Sequence, residues 1–158
     1  MANLSQLSKS YYIFFILSLS LSGSLSCLHD QREALLEFKD LLVRDSIRDN
    51  STELFLGGLE TWNSSSECCQ WILVQCNSRS SSQEVTGLNL SGLFPLQGKN
   101  STVLASIFRI KTLMSLDISY NSIQGEIPGT GFGNLTELVY LDMREIASMV
   151  LFLCSCFI

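Results

Sequence analysis

The stretch LMSLDISYNSIQGEIP at residues 113–128 decides the fold, because its apolar spacing recurs in the chain. The segment LTELVYLDM at 135–143 repeats its first half, and Leu113 stands 25 positions before Leu138. The segment VTGLNL at 85–90 follows the same spacing, at an offset of 28. Shared offsets indicate an internal repeat. Alternating leucines in an ordinary antiparallel sheet are the alternative, and the equal offsets argue against it.

Each repeat has the spacing of a short strand followed by a turn, with its leucines directed into the interior of a coil. Asn121 suits the turn, because its amide can bond backbone groups of its own coil and the next. Gly125 permits a tight bend, and Pro128 ends the segment. The predicted repeat ladder consists of Leu113, Leu116, Ile118, Asn121, Ile123, Gly125, Ile127, Leu138, Leu141 and Met143.

Residues 1–26 have the pattern of a secretory signal peptide. Lys9 precedes a short apolar run at 11–21, and the small-residue stretch GSLS follows at 23–26. An uncleaved membrane anchor is the alternative, and the apolar run is short for a span of about 20 residues. The prediction is a mature chain that begins at Cys27.

The rest of the composition agrees with secretion. The net charge of −5 and the absence of a basic stripe exclude nucleic acid as a partner. An oxidising compartment makes disulfides the expectation for Cys27, Cys68, Cys69 and Cys76. Five N-x-S/T sequons follow the predicted signal peptide, at Asn50, Asn63, Asn89, Asn100 and Asn134.

The segment after Cys27 predicts an amphipathic helix at about 31–44. Asp30 can cap its N-terminus, with Glu33 three residues later in a capping box. The polar residues 45–54 are expected to be irregular.

The motif CCQWILVQC at 68–76 raises the question of where its cysteines bond. Neighbouring cysteines are poor partners for each other because so small a ring strains the disulfide. Cys68 and Cys69 are therefore each expected to bond elsewhere. Upstream of the motif, Leu59 and Trp62 are expected as apolar points inside a loop, and a Ser-rich loop tip is expected at 77–84.

These residues carry a resemblance to a known family. LxxLxIxxNxIxGxIP at 113–128 resembles the plant-specific type of leucine-rich repeat. Cys27, the ALLEFK segment at 34–39, Trp62, and C-C-x-W-x-x-V-x-C at 68–76 resemble the plant N-terminal capping domain. Together they resemble the N-terminal part of a plant receptor-like protein of the disease-resistance kind.

The resemblance implies an α/β leucine-rich-repeat solenoid fragment, with an N-terminal helical disulfide cap followed by a short parallel-strand array. The expected domains are the signal peptide at 1–26, the cap at 27–84, two to three repeats at 85–143, and a divergent hydrophobic tail at 144–158.

In such caps the cysteines pair in sequence order. The resemblance therefore implies that Cys27 bonds Cys68 and that Cys69 bonds Cys76. A zinc site is the alternative, disfavoured because adjacent cysteines chelate one tetrahedral ion badly and no histidine lies near them. The family commonly has glycine where this chain has Leu73, which implies a slightly different turn.

The repeat pattern stops at Ile146, where the ladder calls for asparagine. The tail at 144–158 is largely apolar and includes Cys154 and Cys156. It is interpreted as the end of a truncated product without an evolved role, as a shallow or lipid-anchored membrane segment, or as the completion of the last coil. So short an array predicts a marginal fold and an aggregation-prone tail.

No catalytic constellation or cofactor motif is present in the sequence, so an enzyme is not expected. The sole histidine, His29, is expected in the entry loop of the cap. Asp117 and Asp142 might suggest acid/base work, but their offset of 25 predicts stacked, solvated positions on successive strands.

The polar residues of the repeated strands form the predicted concave binding face. Tyrosine among mixed polar groups suits protein or peptide recognition, and the alternative is that these residues are merely exposed. The candidates are Ser115, Asp117, Ser119, Tyr120, Tyr140, Asp142 and Arg144, matched in the first unit by Asn89 and Ser91.

The resemblance implies an extracellular or cell-surface recognition module in plant defence signalling. Its expected partners are an extracellular protein, peptide or glycan ligand and a receptor kinase. A secreted inhibitor of a cell-wall-degrading enzyme is the alternative, disfavoured by the short array.

Overall fold

The computed structural model describes residues 27–48, 57–77, 83–94, 98–127 and 129–146, without the side chains of 45–48. The predicted signal peptide, Asn50, Pro128 and the tail from 147 onward, with its two cysteines, lie outside the described residues. So does most of the predicted Ser-rich loop tip.

The described chain forms a long N-terminal helix, then short strands joined by 3₁₀ turns. The helices and strands are α1 (His29–Arg48), β1 (Val74–Cys76), β2 (Val85–Asn89), β3 (Lys99–Asn100), β4 (Ser115–Asp117), β5 (Ile123–Gln124), α2 (Gly129–Gly133) and β6 (Tyr140–Asp142). The 3₁₀ turns are Leu59–Thr61, Cys68–Gln70, Ser101–Ala105 and Ile107–Arg109.

The main sheet has the strand order β1-β2-β4-β6. β2, β4 and β6 run parallel, and Leu88, Leu116 and Leu141 lie in register on successive strands. The predicted offsets of 28 and 25 are therefore the strand register, and the solenoid prediction is confirmed. β1 pairs antiparallel with β2 and covers the first edge of the sheet. β3 and β5 form a second, two-stranded parallel sheet.

Helix α1 is longer than the predicted span at both ends. The N–H of Arg32 donates to the carbonyl of Leu28, so Asp30 lies in the first turn and the prediction that it is the N-cap is wrong. Glu33 lies 3.7 Å from His29, which begins the helix rather than occupying a loop. At the other end the helix extends to Arg48, where irregular structure was predicted.

The apolar stripe of α1 packs into a core that contains both tryptophans. The ring of Phe38 lies 6.3 Å from Trp62, and Trp62 stacks on Trp71 at 5.5 Å between ring centroids. Leu59 and Trp62 are buried, and Leu59 begins a 3₁₀ turn, so the prediction of apolar points in a loop is wrong for Leu59. The indole N–H of Trp62 donates to the carbonyl of Ile72 at 2.7 Å, which satisfies its one polar group.

Gln31 is a buried polar residue that ties α1 to the first two coils. Its Oε1 accepts the N–H of Val85 at 2.8 Å, and its Nε2 donates to the hydroxyl of Thr112 at 2.8 Å. Thr112 in turn donates to the carbonyl of Val85 at 2.7 Å. The amide of Gln31 therefore satisfies backbone and side-chain groups that burial would otherwise leave unpaired.

The ladder residues are buried in the second coil and only partly covered in the third. Leu113, Leu116 and Ile118 are fully buried, whereas Leu141 is 37% exposed. Leu138 and Met143 are only partly buried. The prediction that the ladder residues point into a covered interior is therefore right for the second coil and wrong for the third. The reason is that no described coil stacks on β6.

The side chain of Asn121 is buried and forms hydrogen bonds with four backbone groups. Its Nδ2 donates to the carbonyls of Ile118 and Ser119 in its own coil and to Leu90 in the coil before it. Its Oδ1 accepts the N–H of Phe94 at 3.0 Å. The predicted role is right, but the neighbour is the preceding coil and not the next one.

Candidate binding face and N-terminal cap

The face of the main sheet that is turned away from the core corresponds to the predicted concave face; we call it the strand face. Residues at alternate positions along the strands form rows on it that cross β2, β4 and β6. The three rows are Gly87, Ser115 and Tyr140; Asn89, Asp117 and Asp142; and Ser91, Ser119 and Arg144.

The middle and last rows are joined by the same turn in all three coils. In each coil a side-chain oxygen at the end of the strand accepts the backbone N–H two residues later, as in an Asx turn. The bonds join Asn89 Oδ1 to Ser91 N at 3.2 Å, Asp117 Oδ1 to Ser119 N at 2.9 Å, and Asp142 Oδ1 to Arg144 N at 3.0 Å.

These turns change the interpretation of the two aspartates. Asp117 also accepts the hydroxyl of Ser119 at 2.6 Å, and Ser119 is buried rather than exposed. Asp142 is buried as well, beneath Tyr140 and Arg144. The predictions that Ser119 projects outward and that Asp142 is solvated are therefore wrong, because both side chains bond within their own turn.

Asp142 is held as a carboxylate by its neighbours. Arg144 donates side-chain bonds to both oxygens, the shortest at 2.7 Å, and the hydroxyl of Tyr140 donates at 3.2 Å. The Arg144 side chain first, and its backbone N–H second, lower the pKa of Asp142 to about 2. The same contacts raise the pKa of Tyr140 and of Arg144 above their ordinary values. At neutral pH this cluster is an ion pair with a neutral phenol.

Two tyrosines are the large exposed side chains among the predicted binding residues. Tyr120 is 46% exposed and Tyr140 is 52% exposed. Arg144 is exposed beside them, and Ser115 is half-buried. Tyrosine presents a rigid ring with a polar tip, so this part of the strand face has the composition of a protein-recognition surface.

The backbone repeats one more feature that the sequence does not show. The residue before the asparagine position has a positive φ in each coil: 67° at Gly92, 55° at Tyr120 and 51° at Glu145. The N–H of Gly92 donates to Ser119, and that of Tyr120 donates to Arg144. The coil conformation therefore continues to Glu145, although Ile146 replaces the asparagine.

The cap is closed by two disulfides. Cys27 bonds Cys68 with their Cα atoms 5.9 Å apart, and Cys69 bonds Cys76 at 5.6 Å. This is the pairing that the resemblance implies. The first bridge is buried and fastens the start of α1 to the loop before the sheet, while the second is half-buried and closes the ring around Trp71.

Leu73 occupies the position where the family commonly has glycine, and its φ is 75°. This left-handed conformation costs an L-residue about 1–2 kcal/mol. The carbonyl of Leu73 accepts the N–H of Asn89 at 3.0 Å, which fixes the backbone there. A φ of this size is one that glycine adopts without strain, and the predicted difference in the turn stays a prediction.

The four predicted glycosylation sites within the described residues are all exposed: Asn63, Asn89, Asn100 and Asn134. Within the ranges that the structure covers, no group of three or more His, Cys, Asp or Glu side chains is placed to hold a metal ion. In the same part of the chain, no helix is both long and apolar enough to cross a bilayer.

The cap and the stacked coils define a leucine-rich-repeat fold with a plant-type N-terminal cap, and comparison with known proteins gives the same class. Residues 28–77 match the family model described as leucine rich repeat N-terminal domain. The chain is 49% identical over 126 residues to receptor-like protein 46 of Arabidopsis thaliana, covering 80% of this chain and 15% of that protein. The chain belongs to the plant leucine-rich-repeat receptor-like proteins.

Other similar proteins agree with this assignment. Receptor-like protein 31 of Arabidopsis thaliana is 37% identical over 129 residues, covering 82% of this chain and 14% of that protein. The chain thus spans about one seventh of the length of these relatives. The BIR2 ectodomain of Arabidopsis thaliana shares the fold, with a TM-score of 0.53 at 21% identity, over 79% of this chain and 58% of that one.

Proposed function

We propose that this chain is the N-terminal part of an extracellular recognition ectodomain, and that it contacts a protein or peptide through Tyr120, Tyr140 and Arg144. The observation that carries the proposal is the exposure of both tyrosines beside Arg144 in two stacked coils. The role is binding rather than catalysis, because the aspartates nearby are engaged in turns.

The chemistry of this surface favours an extended polypeptide as ligand. The tyrosine rings offer flat contact area at low cost in side-chain entropy. Arg144 uses Nε and Nη2 for Asp142, which leaves its other guanidinium N–H groups to donate to a carboxylate or a carbonyl. Because Asp142 orients it, the guanidinium loses little further freedom when a ligand binds.

Extracellular location is part of the same proposal. The two disulfides suit an oxidising compartment, and the exposed sequons suit passage through the secretory pathway. The resemblance to disease-resistance receptor-like proteins supports a role in defence, with signalling through a partner receptor kinase.

The test uses the full chain secreted from plant cells and purified with both disulfides intact. Its binding to size-fractionated extracellular fluid from pathogen-challenged leaves is measured by biolayer interferometry. The proposal predicts saturable binding to a peptide or protein fraction. The double variant Tyr120→Gly and Tyr140→Ala should lose that binding, and glycine at 120 keeps the positive φ without strain.

The matched control is Ile72→Ala, which removes an apolar side chain of similar exposure, 52%, from the cap. It should leave binding unchanged. Equal loss of binding in both variants, or binding that survives the tyrosine changes, would contradict the assignment of the ligand to this surface.

A further inference from the structure

One predicted glycosylation site lies on the strand face itself. Asn89 ends β2 and is exposed, and Leu90 and Ser91 complete its sequon. It is in register with Asp117 on the neighbouring strand. The positions equivalent to Asn89 in the other coils are aspartates, which cannot accept an N-linked sugar. In this row, only the first coil can be modified.

The hydrogen bonds of Asn89 leave its amide nitrogen available. Its Oδ1 accepts the N–H of Ser91, whereas its Nδ2 makes no hydrogen bond within the described residues. N-glycosylation uses only the nitrogen: Nδ2 loses a proton and bonds the anomeric carbon of a lipid-diphosphate-linked oligosaccharide, and the lipid diphosphate leaves. The turn is therefore compatible with the sugar. At Asn63, by contrast, Nδ2 already donates to the carbonyl of Thr61 at 3.1 Å.

We infer that Asn89 carries an N-linked glycan that covers the strand face around β2 and the neighbouring Asp117. The inference rests on the secretory location in the proposed function. Neighbouring strands are about 4.8 Å apart, so a sugar on β2 lies directly over Asp117. β6 is two strands away, at about 10 Å. The glycan would direct ligand contact to the part of the face next to the last coil, where Tyr120, Tyr140 and Arg144 lie.

The inference is tested by glycopeptide mass spectrometry on the full chain secreted from plant cells. Enzymatic deglycosylation in H₂¹⁸O marks each occupied asparagine as labelled aspartate. The expected result is label at Asn89. A secreted protein labelled at other sequons but not at Asn89 would overturn the inference and leave the proposed function standing. A chain without any glycan that stays in the cytosol would overturn both.

A pair of variants tests the effect on the face. Asn89→Asp removes the sequon but keeps the oxygen that accepts the N–H of Ser91, as Asp117 and Asp142 do in their coils. Carbodiimide labelling of Asp117 should rise several-fold in this variant. Asn134→Asp, on a different surface, should leave that labelling unchanged. Equal labelling of Asp117 in all three proteins would show that the glycan does not cover the face.

Discussion

At the scale of single residues, most of the unusual positions in this chain serve the backbone. Leu73 and Tyr120 have positive φ, and the side chain of Asn121 bonds four backbone groups. Asp117 and Asp142 were candidates for a solvated face, yet each accepts a backbone N–H in its own turn. Fewer of the predicted concave-face residues are therefore available to contact a ligand than the repeat spacing alone would suggest.

Leu73 offers a test of backbone strain that compares two small replacements. Leu73→Gly and Leu73→Ala both remove the side chain, so their difference reports the backbone alone. In an ordinary strand alanine is favoured over glycine by about 0.5–1 kcal/mol. At a φ of 75° we expect the order to reverse, with the glycine variant more stable by about 1 kcal/mol in urea unfolding. An alanine variant of equal or higher stability would contradict the strain.

Asn121 is a position where loss of one polar side chain should be costly. Asn121→Ala leaves the N–H of Phe94 and the carbonyl of Leu90 without these bonds in a buried site. We expect the free energy of unfolding to fall by about 3 kcal/mol, since each unsatisfied buried group costs about 1–3 kcal/mol. Asn134→Ala, at an exposed asparagine, should change it by less than about 0.5 kcal/mol. A loss of similar size in both variants would contradict this account.

Asp142 should make stability depend on acid pH. Its pKa falls from 3.8 in the unfolded chain to about 2 in the fold, so the unfolded state binds more protons between these values. The stabilisation is complete above pH 4 and is lost as the pH falls toward 2. In the variant Asp142→Asn, the urea concentration at the unfolding midpoint should depend less on pH between 2 and 4. Asp40→Asn, which removes a carboxylate from an exposed ion pair, is the control. An unchanged pH profile in Asp142→Asn would refute the assignment.

At the scale of elements, the cap consists of a helix, 3₁₀ turns and one short strand, which are held together by disulfides, hydrogen bonds and an ion pair. α1 is fastened by the Cys27–Cys68 bridge at its start, by the amide of Gln31 to two coils, and by an ion pair between Glu37 and Arg109. β1 covers the first edge of the sheet, where backbone groups would otherwise be open to pairing.

The two disulfides should differ in their contribution to stability. The Cys27–Cys68 bridge spans 41 residues and the Cys69–Cys76 bridge spans 7. Chain entropy predicts about 4 kcal/mol for the longer loop and about 2 kcal/mol for the shorter. Replacing each pair by alanine and measuring thermal unfolding should give the larger loss for Cys27 and Cys68. The opposite order would contradict a cap fastened chiefly by the first bridge.

At the scale of the whole molecule, the solenoid is closed at one end and open at the other in the part of the chain described. β6 is the last strand of the sheet; Leu141 within it is 37% exposed, and Val139 just before it is 82% exposed. A repeat protein buries such an edge against the next coil. The curated relatives, of which this chain covers about one seventh, have the length for many more coils.

The sequence predicts the parts of this fold that depend on spacing. The offsets of 25 and 28 give the register of β2, β4 and β6, because a parallel coil must return to the same position once per repeat. Side-chain bonding is not visible in spacing, which is why the burial of Ser119 and the role of Gln31 were not predicted. The predicted start of α1 was wrong because Asp30 is acceptable both as an N-cap and in the first turn, and the structure places it in the first turn.

The central claim is that a disulfide-closed cap begins a stack of coils in register, and amide hydrogen exchange tests it most directly. The bonds between coils use the N–H groups of Leu90, Gly92, Ile118 and Tyr120. In the secreted, disulfide-intact chain, NMR should show slow exchange at these four amides and fast exchange at Ser64, in an exposed turn of the cap. Exchange at unfolded-chain rates at Leu90 and Ile118, with both disulfides intact, would contradict the stacking of the coils.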